Sequence, residues 1–270
     1  MELKNVKFAA WVWYFVVAII IVLLISSCSG ARADVLTSLY DALQTATPEQ
    51  RQKIEYTLNQ LNNQPLPGDD KYVLVNIPAY TVYAVQGGEV QFSSRAIVGA
   101  RTTRTPVMVS NLWGIKYNPD WHAPAGITKR YTQKIEKGNW EYFEKHGIRV
   151  TQTSTGAYRF SQPSGEHNAL GVIKFELDNK DDIYLHDTNE RHKFERTNRA
   201  LSSGCVRVQE WRKLAAWVLG SDESFVDQQL ANKRTRIEAV TPMPVYIGYF
   251  PAWVVNGQVV YYEDVYKKVR

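Results

Sequence analysis

The sequence predicts a mainly β domain with a few helices, carried behind an N-terminal membrane segment and a helical stalk. Three observations predict it. From Tyr72 onward, short runs rich in Val, Ile, Tyr and Phe alternate with Gly, Pro, Asn and Asp, the pattern of strands and turns. Residues 31–64 instead repeat leucines at helical spacing. Before them, residues 8–25 form an uncharged, largely apolar run.

That run comes first in the chain. At ~1.5 Å per residue it nearly spans a ~30 Å hydrocarbon core. Lys4 and Lys7 precede it and keep the N-terminus cytoplasmic, so the remainder is expected in the periplasm. Two readings of residues 1–30 stand side by side. One is a single-span inner-membrane anchor, favoured by the length of the run. The other is a lipoprotein signal, because Ile25-Ser26-Ser27-Cys28 resembles a lipobox with Cys28 as the lipidated residue. A buried core helix is a third reading, and the lysine flank opposes it.

The stalk follows, over residues 31–70. Leu36, Leu39, Tyr40 and Leu43 share one helical face. Thr47-Pro48-Glu49-Gln50 starts a second helix, with Thr47 as cap, Pro48 at the first position and Gln50 completing a capping box. Ile54, Leu58 and Leu61 line that helix, and residues 65–70 read as a linker. About 240 residues lie beyond the apolar segment, enough for one domain of ordinary size over 71–270. The spacing predicts strands over 72–77, 80–85, 90–98, 112–117, 171–177, 182–186, 236–240, 245–250 and 258–262. Gly87-Gly88 marks a hairpin turn, and a helix over 208–219 ends at Gly220. Residues 119–168 fit the strand series badly and include a helix-like stretch over 128–146. Such an insertion is either a lid or a surface excursion. The net charge of +5 suits an anionic polymer, a membrane surface or an ordinary solvated face. No dense basic run or nucleic-acid motif appears, so no nucleic-acid partner is expected.

The chemistry concentrates at two places. Cys205 sits in Leu201-Ser202-Ser203-Gly204-Cys205-Val206-Arg207-Val208, and His186 precedes it in Tyr184-Leu185-His186-Asp187-Thr188. The chain has only two cysteines, and Cys28 is no evident disulfide partner. A thiol nucleophile needs a base to ionise it, and an imidazole serves as that base. A free thiol of pKa ~8.5 is only slightly ionised at neutral pH. A thiolate–imidazolium pair would raise that fraction, predicting rapid alkylation near neutral pH that slows in His186→Ala. Gly204 leaves room for a substrate carbonyl, and the N–H groups of Gly204 and Cys205 are candidate oxyanion donors. The side chain or carbonyl of Asp187 is the candidate orienter of the imidazole. An inert buried Cys and an unrelated strand His remain the bland alternative. Five scattered histidines form no metal-ligand spacing, so neither metal nor cofactor is expected.

The stretch from His186 through Ser203-Gly204-Cys205-Val206-Arg207 resembles the signature of the L,D-transpeptidases, the YkuD-type catalytic domain. Ser203 stands where many members carry histidine, and Asp187 where many carry glycine. Both departures resemble the YcbB-like branch. Residues 72–79, Ile97-Val98-Gly99 with Thr105-Pro106, Asn118-Pro119-Asp120-Trp121 and Asn168-Ala169-Leu170-Gly171 fit the same branch. This chain has no room for the peptidoglycan-binding and scaffold domains of its larger members.

The resemblance implies a β-sandwich or barrel in which residues 119–168 cap the active site. It also implies a cysteine acyltransferase acting on peptidoglycan stem peptides. Cys205 would attack the third stem residue and release the terminal D-Ala, leaving a thioester. A second stem's side-chain amine would then form a 3→3 cross-link. His186 would be the base, the carbonyl after it (Asp187) its orienter, and Ser203 and Gly204 would shape the oxyanion turn. Arg207, Trp121, Tyr184 and Arg199 are the candidate substrate contacts, with a packed core role open for Trp121 and a bracing role for Arg207. Hydrolysis, D-amino-acid exchange and attachment to an envelope protein are alternatives through the same thioester. A non-catalytic wall-binding module is the non-enzyme reading. An NlpC/P60-type peptidase is disfavoured because its cysteine precedes its histidine.

Overall fold

A computed structural model describes residues 30–68 and 70–269. The expected anchor or signal and Cys28 lie outside the described residues. Among those described, no helix is long and apolar enough to cross a membrane. The architecture is mainly β. The chain divides into two compact units, one holding residues 30–72, 84–92 and 249–269 and the other 73–83 and 93–248.

In the first unit, α1 (Gly30–Leu43) and α2 (Pro48–Asn63) pack on a hairpin of β13 (Ala252–Val255) and β14 (Gln258–Tyr261). The α2 start is as the sequence predicts. Thr47 Oγ1 accepts from Gln50 N–H at 3.3 Å, and Gln50 Oε1 accepts from Thr47 N–H at 2.9 Å. The two helices do not form a free stalk. Leu39, Ile54, Leu58 and Leu61 are buried and need an apolar partner, which the C-terminal hairpin supplies with Ala252 and Trp253. Thr57 Oγ1 accepts from Ala252 N–H at 3.3 Å, and Gln60 Oε1 accepts from Tyr249 N–H at 3.1 Å. Residues 249–269, expected within the 71–270 domain, thus fold with the helices instead.

A nine-stranded sheet, most of it within residues 73–83 and 93–248, has the order β10-β3-β11-β9-β8-β4-β12-β1-β2. Its strands are β1 (Tyr72–Asn76), β2 (Thr81–Gln86), β3 (Glu89–Gly99), β4 (Met108–Tyr117), β8 (Ile173–Leu177), β9 (Leu185–His186), β10 (Ala200–Ser202), β11 (Val206–Val208) and β12 (Arg236–Gly248). β2 also pairs with β3, so the order closes on itself like a barrel. Ile173, Phe175, Leu185, Val206 and Val208 alternate into the core and are fully buried. β12 joins two strands that the sequence separates at Pro242 and Pro244. A register shift between Ala239 and Met243 takes up Pro242, while Pro244 lies in register opposite Asn111. Two helices follow the cysteine turn, α5 (Trp211–Leu219), closed by left-handed Gly220, and α6 (Glu223–Ala231), capped by Asp222.

Residues 119–168 form a subdomain with its own sheet, ordered β5 (Trp121–His122), β7 (Tyr158–Gln162), β6 (Arg149–Gln152). Helices α3 (Ala125–Glu136) and α4 (Glu141–Lys145), separated at Gly138, pack on it. Ile135, Phe143, Ile148 and Phe160 form its core, and Tyr131 meets Phe143 and Phe160 edge-on. Buried Asn168 ties its neck by donating to the Pro119, Gln162 and Pro163 carbonyls.

Candidate active site

Strand register assembles the site. Arg207 lies opposite His186 across the parallel β11–β9 pair, and Lys174 lies opposite His186 across the antiparallel β8–β9 pair. Side chains alternate along a strand, so residues two apart share a face. Because Phe175, Leu185 and Val206 point into the core, the other face carries Lys174 and Glu176, then His186, then Arg207. His186 lies on that face of β9, and Cys205 sits in the turn that enters β11, against the Tyr184 side chain that also meets His186. His186 is buried there, only 5% exposed, whereas Cys205 is partly exposed.

The electrostatics correct the expected ion pair. Burial holds the His186 imidazole down at about 3, Arg207 and Lys174 add to the effect, and the main chain at Asp187 opposes it. Burial likewise pushes the Cys205 thiol up, with Tyr184 and the Lys174 charge pulling back. The Cys205 thiol donates to the Asp182 carbonyl at 3.6 Å, a contact that favours the protonated form. Both effects favour the uncharged forms of the two groups. Lys174 stands 4.2 Å over the Tyr184 ring and 2.7 Å from the Glu176 carboxylate, and the Tyr184 ring meets His186 edge-on at 5.4 Å.

A depressed imidazole links stability to pH. The unfolded chain protonates this histidine near pH 6.5. The fold does so only near pH 3. Between the two, the unfolded state binds more protons, so stability falls as pH falls, by up to about 1.4 kcal/mol per pH unit from this group. Urea midpoints at pH 7, 5 and 4 for wild type and His186→Gln will check this. The wild type should lose more stability than the variant on acidification, and parallel curves would contradict it.

Asp187 does not orient the imidazole with its carboxylate. That fully buried group accepts from Val172 N–H at 3.1 Å and from Arg191 Nε and Nη2 at 3.1 and 2.7 Å. Of the two orienters the sequence offered, the Asp187 carbonyl is left. His186 Nδ1 and Arg207 Nε are buried without a hydrogen-bond partner among the described residues. Arg207 Nη1 donates to Glu190 at 2.8 Å, which braces the strand as the sequence reading allowed.

The cysteine turn is stitched from within and from a strap at residues 99–105. Ser202 Oγ donates to the Cys205 carbonyl at 2.6 Å and accepts from Gly204 N–H at 3.1 Å. Gly204 N–H is therefore engaged and is not a free oxyanion donor. Cys205 N–H makes no hydrogen bond among the described residues. Exposed Ser203 instead accepts from Arg130 Nη2 of α3 at 3.3 Å, so the insertion reaches the turn. The sequence reading gave Ser202 and Thr105 no role. The doublet Ser202-Ser203 and the Thr105-Pro106 pair were the available signals, but which serine faces inward is set by the β10 pairing.

Two expected substrate contacts lie elsewhere. Arg199 donates from Nε, Nη1 and Nη2 to the carbonyls of Ala96, Arg196 and Tyr80, so it cross-links main chain. Trp121 is buried against Tyr131 in the insertion, the packed role the sequence reading left open. No cluster of three or more metal-ligating side chains occurs among the described residues.

The family model of the L,D-transpeptidase catalytic domain, YkuD, matches residues 70–247. The chain belongs to the YkuD family. Its match ends just before residue 249, where the chain rejoins the helical unit. A Haemophilus influenzae protein named "Putative L,D-transpeptidase" is 34% identical over 221 residues, covering 74% of this chain and 45% of that protein. The chain thus spans about half the length of that relative. Solved L,D-transpeptidase structures show a weaker likeness. Mycobacterium tuberculosis L,D-transpeptidase 1 is 15% identical at a TM-score of 0.32, with 67% of this chain and 62% of that one covered. The Mycobacterium smegmatis enzyme is 13% identical at 0.34, with 67% and 59% covered. At those scores the likeness adds nothing to the family assignment.

Proposed function

We propose that this YkuD domain is a peptidoglycan L,D-transpeptidase that forms 3→3 cross-links through a thioester on Cys205. The observation that carries the reading is the Cys205 turn leading directly into β11, which pairs with the β9 strand of His186, an imidazole that burial disposes to the neutral, proton-accepting form. Cys205 Sγ bonds to the carbonyl carbon of the third stem residue while its proton passes to His186. The tetrahedral intermediate collapses, His186 returns the proton to the departing D-Ala amine, and the thioester remains. The side-chain amine of a second stem attacks, loses its proton to His186, and expels the thiol.

The domain works in the periplasm, tethered through residues 1–30. Intact-mass spectrometry of the membrane-bound protein distinguishes the tethers, since a lipoprotein begins at an acylated Cys28 and a spanning protein keeps residues 1–27.

The test is product analysis with purified disaccharide-tetrapeptide. The expected product is a dimer lacking one D-Ala. Tripeptide alone would replace this reading with a carboxypeptidase, and product only with added D-amino acid would replace it with stem exchange. If only an added envelope protein accepts the stem, the domain tethers wall to protein.

A further inference from the structure

We infer that Thr105 is a positioning residue that aims the Cys205 N–H at the oxyanion formed during acyl transfer. The inference rests on the acyl-enzyme reading above and adds a residue to it.

Thr105 is 1% exposed and its hydroxyl is used in both directions. It accepts from Gly99 N–H at 2.8 Å and donates to the Gly204 carbonyl at 2.6 Å. The direction is unambiguous, because an amide only donates and a carbonyl only accepts. The peptide after Gly204 is trans, as are all the others described. In a planar trans peptide the carbonyl and the following N–H point oppositely. Holding the Gly204 oxygen therefore also holds the Cys205 N–H, facing away from the strap. This is the amide of the turn that Ser202 leaves unengaged.

The peptide needs such a hold. Gly204 has φ +131, a region that gives the turn no preference of its own. The strap sits at main-chain contact, since a Cβ on Gly99 would lie 2.1 Å from the Thr103 carbonyl oxygen. Its other end is tied separately. Thr103 Oγ1 and Ala100 N–H both donate to the Ser202 carbonyl, at 2.8 and 2.9 Å.

Two reactions at one sulfur separate the roles. Iodoacetamide alkylates the thiol without forming an oxyanion, whereas p-nitrophenyl acetate acylates it through one. Both rates would be measured on the full chain for wild type, Thr105→Val, Thr105→Ala, Thr105→Ser and Thr103→Val. Thr105→Val should lower acylation by about 10- to 100-fold and leave alkylation within about twofold, the scale of a mis-aimed oxyanion donor. Thr105→Ala gives the same comparison with less bulk, should the valine variant not fold. Thr105→Ser should restore acylation, and Thr103→Val should leave it within about threefold. Equal losses in both reactions, or an equal acylation loss in Thr103→Val, would overturn the inference. A wild type that alkylates at Cys205 but never acylates would remove the acyl-enzyme reading, and this inference with it.

Discussion

Cys205→Ser will lose acyl transfer by about 10³-fold or more while keeping the wild-type melting temperature. The reason lies in the site's electrostatics. Burial already pushes the Cys205 thiol up, and burial keeps His186 at about 3. A weakly basic imidazole can take a proton from a thiol under attack, but a serine hydroxyl is several pKa units less acidic. Cross-linking and D-Ala release should vanish together, since both pass through the sulfur. Retained turnover in the serine variant would rule out thiolate chemistry. The same electrostatics shape alkylation. The rate should climb with pH beyond the ordinary thiol range, with no plateau between pH 5 and 7. Such a plateau would restore the thiolate–imidazolium pair that the sequence alone suggested.

Gly99→Ala will destabilise the domain by about 3 kcal/mol or more, lowering its melting temperature by roughly 6–12 °C. The added Cβ would meet Thr103 O at 2.1 Å, Thr105 N at 2.5 Å and Arg104 C at 2.8 Å. All three are backbone atoms, so no side chain can swing aside. The strap must move, and with it the Thr105 and Thr103 bonds to the cysteine turn. Gly126→Ala is the matched control, because nothing lies within 4 Å of its Cβ position in α3. It should be neutral or stabilising by up to about 1 kcal/mol. Thermal melts of both variants check the pair, and equal melting temperatures would contradict the strap geometry.

Local chemistry was legible where it was self-contained. Gly87 and Gly88 take φ +62 and +74, as a two-residue hairpin turn demands. Thr47 and Gln50 form both bonds of the capping box, and Gly220 closes its helix in the left-handed region. The expected strand over 182–186 shrinks to Leu185–His186, because Asp182 sits at φ +52 in a turn held by Asn179. What stayed hidden depends on residues far apart in sequence. Leu39 and Ile54 are covered by a hairpin beginning at Ala252. Tyr131, Phe143 and Phe160 read as scattered aromatics until the insertion folds them into one core. Within the site, register sorted the roles. Cys205 and His186 could be nominated from their motif, but the use of Arg199 as a main-chain brace, and of Ser202 rather than Ser203 inside the turn, follows from strand pairing.

The most direct measurement is intact-mass spectrometry of the full chain incubated with disaccharide-tetrapeptide, followed by peptide mapping. The account predicts an adduct equal to the donor minus D-Ala. It should be released by hydroxylamine, map to the peptide carrying Cys205, and be absent in Cys205→Ser. Release of D-Ala with no such adduct, or with an adduct on another residue, would contradict it.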